Sequence, residues 1–245
     1  MLKLAPDSPF YSIQAEGIST GMPAVFIRTT GCNFQCGLDR SSPGTWVCDS
    51  EKLWKKGTDY TNEQLEQKII DLGELPSVLL GKTHLVWTGG EPTLPPNSAG
   101  IQEFLRYIDL NHQNNMIFNE LETNGSLFCE DLIQKIQQIN CSPKLSNSGI
   151  SKDRRINTES IKQIMNHKNF WFKFVISTED DVQEMIRDYI LPFNMPADRI
   201  ILMPGVDRQS EIIERTQFAI EMSKKYHYRM CTRVQILCYD KEIAR

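Results

Sequence analysis

The sequence lacks any apolar run that approaches the roughly 20 residues of a membrane-spanning helix. Its first residues are too few and too polar for a secretory signal peptide. It also lacks an excess of positive charge, because 27 lysines and arginines face 31 aspartates and glutamates, for a net charge of -4. General electrostatic attraction to nucleic acid therefore does not explain its function. We expect a cytoplasmic protein with no membrane and no direct nucleic-acid partner.

Cysteine is present in an odd number, seven, and a disulfide framework is not expected in a cytosolic chain of 245 residues. Three cysteines, Cys32, Cys36 and Cys48, lie in one loop rich in Gly, Ser, Asp and Pro. The others lie at predicted helix starts or in apolar stretches, and we expect them to be buried thiols that pack as small hydrophobic groups. These are Cys129, Cys141, Cys231 and Cys238.

Predicted strands alternate with predicted helices along the chain. β-branched and aromatic content predicts strands at residues 24–28, 84–88, 116–121, 144–145, 172–176, 200–203 and 233–237. Apolar spacing and capping signals predict helices at residues 61–73, 101–108, 132–139, 160–165, 182–189 and 212–226. This alternation predicts one α/β domain over residues 1–245 with a mostly parallel sheet, either doubly wound or barrel-like. Both architectures bind ligands at the carboxyl ends of the strands.

The cysteine loop follows the first of these strands. Three residues separate Cys32 from Cys36, and eleven separate Cys36 from Cys48. Thiolates bind both iron–sulfur clusters and structural zinc, and no fourth Cys or His lies nearby. Three thiolates on four irons would leave one iron open, whereas a closed zinc site would need Asp39 or Asp49 as its fourth donor. The spacing favours a cluster and leaves zinc, or three unrelated surface thiols, as alternatives.

A second motif, Thr88-Gly89-Gly90-Glu91-Pro92, directly follows another predicted strand. Paired glycines let a ligand approach the backbone closely, and Glu91 can accept hydrogen bonds from an ammonium group. By itself a Gly-Gly pair at a strand end is most often a turn. Together with the cysteine loop it becomes a specific signal.

The two motifs together resemble the radical S-adenosylmethionine superfamily, whose usual loop is Cys-x3-Cys-x2-Cys. Cys32-x3-Cys36 matches that loop, but the last interval is x11, so that residues 37–47 form an insertion. Further segments narrow the resemblance to the 7-carboxy-7-deazaguanine synthase family, in the family's order from about residue 8 to residue 205. These segments are residues 11–17, 26–28, 31–33, 48–50, 122–125, 142–144 and 172–175.

The resemblance implies a partial (β/α)6-type barrel with an enlarged cluster-binding loop. It also implies a carbon–nitrogen lyase that converts 6-carboxy-5,6,7,8-tetrahydropterin to 7-carboxy-7-deazaguanine with loss of ammonia, in queuosine-type deazapurine biosynthesis. The implied cofactors are a 4Fe–4S cluster, S-adenosylmethionine and Mg²⁺. The implied partners are the pterin substrate, an electron donor such as flavodoxin or ferredoxin, and a second copy of the chain in a homodimer.

The resemblance also assigns roles to residues of this sequence. Cys32, Cys36 and Cys48 would hold the cluster, and Ser50, where the family normally has Thr, would bind Mg²⁺; a helix N-cap is the alternative for Ser50. The implied catalytic residues are Glu16, Arg28 and Asp49. The implied substrate-binding residues are Ile13, Gln14, Ala15, Glu16, Arg28 and Thr88. The implied cofactor-binding residues are Gly90, Glu91, Ser142, Pro143 and Lys144.

Among these residues, Arg28 would hold the substrate carboxylate, because a guanidinium fork suits that planar anion. A strand-end arginine in a structural ion pair is the alternative. The sequence departs from the family at Ala15, where Gly is usual, and at Gln235, where a His often lies on the predicted last strand.

Two other functions stay open from the sequence. A glycyl-radical activase would share the cysteine loop and the Gly-Gly-Glu motif, but it would need a protein partner and gives no reason for Gln14, Glu16 and Arg28. A non-catalytic zinc-binding or nucleic-acid-binding module would hold tetrahedral zinc and be colourless. The acidic pI of about 5.7 counts against that module.

Overall fold

Ten strands form one mixed sheet in the computed structural model, which describes residues 1–37 and 44–242. The strands are β1 (Leu2–Leu4), β2 (Phe10–Ile13), β3 (Pro23–Thr29), β4 (Thr58–Tyr60), β5 (His84–Gly89), β6 (Asn119–Thr123), β7 (Gln138–Cys141), β8 (Phe170–Ile176), β9 (Ile200–Pro204) and β10 (Arg229–Met230). The helices are α1 (Glu51–Trp54), α2 (Asn62–Asp71), α3 (Leu75–Leu79), α4 (Pro95–Asn111), α5 (Glu130–Ile133), α6 (Lys152–Arg155), α7 (Thr158–Met165), α8 (Glu179–Met185), α9 (Leu191–Phe193), α10 (Gln209–Tyr226) and α11 (Val234–Tyr239). A π-helical segment, Ile186–Ile190, joins α8 to α9, and 3₁₀ turns lie at Ser146–Ser148 and Ala197–Arg199.

The parallel part of the sheet keeps the order of the chain. Its strands run β3-β5-β6-β7-β8-β9-β10, while β1, β2 and β4 add antiparallel pairs beside β3. A doubly wound sheet reverses its strand order at a switch point. No reversal occurs here, so the crossovers advance in one direction, as in a barrel. The prediction of a mostly parallel sheet is confirmed, and the strand order favours the barrel-like architecture.

The two faces of the sheet bury different chemistry. One face packs against the helices in the main hydrophobic core, and its strand residues include Ile27, Trp87, Leu121, Phe172 and Leu202. The opposite face carries polar side chains in the middle of the strands. The register places Arg28 beside Thr88 on the neighbouring strand, and Glu122 beside Asn140. Side chains alternate along a strand, so that one set enters the apolar core between the sheet and the helices. The other set lies on the opposite, inner face of the sheet, where the polar groups are.

Most predicted elements are present, including the capping box that starts α2 at Thr61 and Gln64. The predicted strand at 233–237 is wrong, because this segment forms helix α11. The predicted helix at 132–139 is wrong beyond Ile133, since the chain turns to enter β7 at Gln138. The predicted strand at 144–145 is wrong as well: these residues lead into a 3₁₀ turn. The strand predicted at 116–121 begins only at Asn119.

The four cysteines outside the loop differ in exposure. Cys141 and Cys231 are buried, as predicted, and Cys129 is half-buried. Cys238 is exposed, so its prediction as a buried thiol is wrong. The cause is the helix at α11, which buries only Ile236 and turns Cys238 outward. In the part of the chain that the structure describes, no helix is long and apolar enough to cross a membrane.

The core between the sheet and the helices supplies a direct test of the fold. Phe172→Ala removes a fully buried ring from β8, and we expect the free energy of unfolding to fall by about 3–5 kcal/mol. Leu110→Ala on α4, whose side chain is 79% exposed, should change it by less than about 0.5 kcal/mol. Urea titration measures both, and equal losses would contradict the burial of Phe172 in the main core.

Candidate active site

The cysteine loop leaves the carboxyl end of β3 and gathers its three thiols in one place. The backbone N–H of Cys48 donates to the carbonyl of Cys36 at 3.1 Å, so the long insertion returns to its own start. The backbone N–H of Phe34 donates to the sulfur of Cys32 at 3.4 Å. Cys32, Cys36 and Cys48 belong to one small apolar cluster, together with Phe34, Trp46 and Ile150.

Burial and the charge of Lys144 act on the thiols in opposite directions. Burial raises the pKa of Cys32 to about 12 and also raises the pKa of Cys36, whereas the ammonium of Lys144 opposes both shifts. The Lys144 Nζ lies 3.3 Å from the Ser142 hydroxyl and 5.8 Å from the centre of the Trp46 ring. Lys144 therefore provides a positive charge next to three thiols that could lose their protons to a bound metal group.

A fourth protein ligand is not at hand in the described part of the chain. His84 pairs with Glu120, His112 with Glu66, and His167 contacts backbone carbonyls. Across residues 1–37 and 44–242, no three His, Cys, Asp or Glu side chains converge on one point as the ligands of a single metal ion do. The ligands of a 4Fe–4S cluster bind different irons and so surround a larger group. Asp39 lies outside the described residues.

The Gly-Gly-Glu motif follows β5 and packs directly under the cysteine loop. The backbone N–H groups of Gly90 and Glu91 donate to the carbonyls of Thr29 and Gly31, at 3.0 and 2.8 Å. A Cβ atom on Gly90 would lie 1.7 Å from the Gly31 carbonyl oxygen, so only glycine fits there. The motif thus fixes the start of the cysteine loop.

Glu91 is almost fully buried, and its carboxylate is occupied by the protein itself. It accepts hydrogen bonds from the Thr123 hydroxyl at 2.7 Å, the Asn124 backbone N–H at 2.8 Å, and the backbone and hydroxyl of Thr93. These bonds tie the ends of β5 and β6 together. The Glu91 carboxylate thus serves contacts within the protein, and its role in binding S-adenosylmethionine stays a prediction.

The predicted residues 142–144 follow β7 at the same edge of the sheet. The backbone N–H of Ser142 donates to the carbonyl of Thr123 at 2.8 Å, which joins this segment to the end of β6. Lys144 is the member that reaches the thiols. The structure thus brings the cysteine loop, the Gly-Gly-Glu motif and the segment 142–144 to one rim.

On the inner face, Glu122 joins two of the predicted substrate-binding residues. Its carboxylate accepts from the Gln14 side-chain amide at 3.0 Å and from the Thr88 hydroxyl at 2.7 Å. The backbone of Gln14 is paired with Met22 and Gly21 in its own hairpin, so its side chain faces the interior. The sequence motif around Glu122 was visible, but nothing in it indicated this bridging role.

Glu16 lies at the centre of a second inner network. Its carboxylate accepts from the Lys173 ammonium, from Arg233 Nε at 2.8 Å and from the Gln235 amide at 2.6 Å. Arg233 also pairs with Asp49, which directly follows Cys48. Two of the predicted catalytic residues, Glu16 and Asp49, are therefore joined by one guanidinium that sequence reasoning missed.

Charge in this network sets the protonation of its members. Burial alone would raise the pKa of Glu16, but the charges of Lys173 and Arg233 outweigh it and hold that pKa well below its ordinary value. Burial would likewise lower the pKa of Lys173, and Glu16 raises it above its usual range instead. The Asp49 side chain is 58% exposed, and the charge of the Arg233 guanidinium lowers its pKa.

Arg28, at the end of β3, is close enough for its charge to act on Asp49 as well. Its Nε donates to Asp7 at 3.0 Å and its guanidinium lies 5.0 Å from the centre of the Phe10 ring. Among the described residues, its two terminal nitrogens make no hydrogen bond. The ion pair that the sequence offers as the alternative role of Arg28 is present. It uses only Nε, so the two terminal nitrogens of the guanidinium could still pair with an anion.

The remaining predicted residues are placed as follows. Ser50 occupies the N-cap position of α1, but its hydroxyl makes no capping hydrogen bond and lies 3.5 Å from the Cys48 sulfur. Ala15 is buried, and its carbonyl accepts from the backbone N–H of Val234 at 3.2 Å, so this carbonyl serves helix α11. The Ile13 side chain is 41% exposed at the end of β2.

Comparison with solved structures identifies the class of the fold. QueE from Escherichia coli superposes with a TM-score of 0.59 at 21% identity, covering 94% of this chain and 93% of that one. The protein anSMEcpe, solved with bound AdoMet, gives a TM-score of 0.52 at 15% identity over 84% of this chain and 62% of its own. The chain therefore shares the partial-barrel fold of these two proteins, as predicted.

Sequence comparison adds relatives with a named activity, although no family model matches the chain. The 7-carboxy-7-deazaguanine synthase of Pyrobaculum aerophilum is 29% identical over 236 residues, 94% of this chain and 92% of the relative. That of Rhodopirellula baltica is 29% identical over 241 residues, 93% of this chain and 83% of the relative. The chain is thus a homologue of the 7-carboxy-7-deazaguanine synthases, which confirms the resemblance found in its motifs.

The Glu16 network predicts a specific dependence of stability on pH. Because the folded pKa of Glu16 lies below its unfolded value of about 4.5, its ion pairs stabilise the fold above that pH and less as the pH falls below it. Glu16→Gln should lower the free energy of unfolding by roughly 3–5 kcal/mol at neutral pH, because Lys173 and Arg233 lose their partner. The difference from the wild type should shrink towards about pH 3.

Urea titrations between about pH 3 and pH 7 measure this difference. Glu214→Gln, on the exposed side of α10, is the control and should follow the wild-type curve. A gap between Glu16→Gln and the wild type that stays constant over this range would count against the ion-pair assignment.

Proposed function

We propose that the protein is a 7-carboxy-7-deazaguanine synthase, a radical S-adenosylmethionine lyase that contracts the ring of 6-carboxy-5,6,7,8-tetrahydropterin with loss of ammonia. The observation that carries this proposal is the short path between two sites. Cys48 is followed by Asp49, which is bridged through Arg233 to Glu16. A cluster on the three cysteines would therefore lie near the polar residues Glu16, Gln14, Arg28 and Thr88.

The thiols of Cys32, Cys36 and Cys48 fit a 4Fe–4S cluster, since they lie together with Lys144 beside them. When bound, the cluster supplies the electron that cleaves S-adenosylmethionine and so provides the radical that takes hydrogen from the substrate. The backbone of Gly90 and Glu91 and the segment 142–144 line the same rim. They support the prediction that these residues bind S-adenosylmethionine.

The protein's own residues would hold the substrate beside Arg28, Gln14 and Thr88. The free side of the Arg28 guanidinium would pair with the substrate carboxylate. Glu122, Gln14 and Thr88 present a carboxylate, an amide and a hydroxyl to the amino and amide edge of a pterin. Glu16 is already bonded to three donors, so it would share its carboxylate between them and the substrate.

Mg²⁺ is the finer part of the proposal. Ser50 supports it, because its hydroxyl leaves α1 uncapped and is available to a hard cation. Asp49 adds a neighbouring carboxylate with a lowered pKa. Substrate oxygens and water would complete the coordination. The homodimer, the electron donor, the cytoplasmic location and the single domain stay predictions from the sequence.

The two alternatives make different demands on this site. A glycyl-radical activase would need a protein partner, and it gives no reason for the buried polar network of Glu122, Gln14 and Thr88. A closed zinc site with Asp49 as fourth donor would have to break the Arg233 ion pair. The internal contacts therefore favour a small polar substrate beside an open cluster.

Anaerobic reconstitution with iron and sulfide tests the proposal directly. We expect a brown protein with broad visible absorbance that converts 6-carboxy-5,6,7,8-tetrahydropterin to 7-carboxy-7-deazaguanine when S-adenosylmethionine, Mg²⁺ and a reductant are present, as detected by mass spectrometry. Cys48→Ala should lose both the absorbance and the product. A colourless, zinc-loaded wild type, or a cluster-loaded enzyme that leaves the pterin unchanged, would overturn it.

Arg28 gives a sharper test of substrate binding. Arg28→Gln should lower kcat/KM by roughly 10- to 100-fold, because a hydrogen bond to a charged group contributes about 1.5–3 kcal/mol. Asp7→Asn breaks the same ion pair but keeps the cation, and it should lose much less. If both variants lost the same activity, Arg28 would be a structural residue. Arg106→Gln, exposed on α4, controls for the loss of a charge.

A further inference from the structure

The enlarged interval between Cys36 and Cys48 poses a physical problem, because a long connection does not by itself hold the third thiol near the first two. Both ends of this connection nevertheless dock on one short segment, the 3₁₀ turn Ser146–Ser148. On one side, the backbone N–H of Gly37 donates to the Ser148 carbonyl at 2.9 Å. On the other, the backbone N–H of Thr45 donates to the Asn147 carbonyl at 2.8 Å.

Asn147 makes the side-chain contact that completes this docking. Its Oδ1 accepts from the indole Nε1–H of Trp46 at 3.0 Å, and its Nδ2 donates to the Val175 carbonyl of β8 at 3.1 Å. Asn147 is only 6% exposed, so these bonds are shielded from water. The bond to Val175 anchors the turn to the sheet, and the bond from Trp46 anchors the loop to the turn.

The turn itself is held from behind by a buried polar network. The backbone N–H of Ser146 donates to Glu184 at 2.8 Å, and Glu184 pairs with the buried Arg155 at 2.6 Å. The Tyr189 hydroxyl donates to the Lys144 carbonyl at 2.7 Å. The segment on which the loop docks is therefore a rigid support built by α6 and by the helical segments that follow β8.

We propose that Asn147 and Trp46 are positioning residues that clamp the returning half of the enlarged loop, so that Cys48 joins Cys32 and Cys36. The clamp takes over the task that a two-residue spacing performs in the usual loop. Trp46 also packs among the three cysteines and lies beside Lys144, so releasing it disturbs the surroundings of the thiols as well. The proposal rests on the proposed cluster function of these cysteines.

Trp46→Phe tests the clamp with the smallest change, since it removes the indole donor and keeps an aromatic ring. Asn147→Ala removes the acceptor. In the metal-free chain, we expect each variant to raise the rate at which iodoacetamide alkylates Cys48 by roughly three- to tenfold relative to the wild type, the effect of one lost hydrogen bond. The rate for Cys141, fully buried in the core, should stay unchanged in the same peptide map.

Anaerobic reconstitution supplies the second readout. Both variants should hold less iron per chain than the wild type and lose their visible absorbance faster under a competing chelator, by a similar factor. The double variant should lose little more than Asn147→Ala alone, because both substitutions remove the bond between Trp46 and Asn147, and Asn147→Ala also removes the bond to Val175. Additive losses would indicate two independent structural effects and would overturn the clamp.

A matched control lies elsewhere in the chain. Trp171 donates its indole N–H to Asn169 at 3.0 Å, the same pair of groups at the same distance. Trp171→Phe should leave the alkylation of Cys48 and the iron content at wild-type values. Variants of Trp46 and Asn147 that match this control in both readouts would overturn the proposal. A wild type that binds no iron would instead overturn the proposed function, while the alkylation rates would still test the clamp.

Discussion

The buried carboxylate of Glu16 is the interaction on which the arrangement of the inner face depends. A carboxylate inside protein is costly unless cations and hydrogen-bond donors surround it. Lys173 from β8 and Arg233 before α11 supply that charge, and Gln235 adds a neutral donor. The segment after β2 is thereby fixed to the last parts of the chain, which are more than 150 residues away in sequence.

The pairing of Glu16 lies on the inner face of the sheet, away from the helices that pack on the other face. The outer face of the strands buries a continuous apolar core, which contributes most of the stability. The inner face lies outside this apolar core, and it carries paired polar side chains. Through Arg233 and Asp49, the same pairing reaches the residue after Cys48. The residues predicted to bind substrate and those predicted to bind the cluster are thus joined by one set of charges.

The sequence predicted those features that local pattern determines. The residues after β3, β5 and β7 were recognisable because parallel strands present their carboxyl ends at one edge. The prediction of a strand at residues 233–237 is wrong because a short apolar run fits a strand or a helix equally well. Only the contacts of Arg233 and Gln235 with Glu16 distinguish the two structures. The position of Lys173 in an apolar strand indicates a buried ion pair, because a lysine is buried only with a partner. That partner, Glu16, could not be read from the sequence.

The enlarged cysteine loop shows how weakly sequence spacing constrains a metal site. Loop-closure entropy rises by only about 0.6 kcal/mol for each doubling of length, so the change from x2 to x11 costs roughly 1.5 kcal/mol. A hydrogen bond inside a protein contributes about as much. The bonds from Gly37, Thr45 and Trp46 to the turn at Asn147 and Ser148 therefore suffice to offset the longer connection. A thiol in such a loop is located by what the loop docks on, and a rigid turn beside the rim allows the spacing to change while the site stays in place.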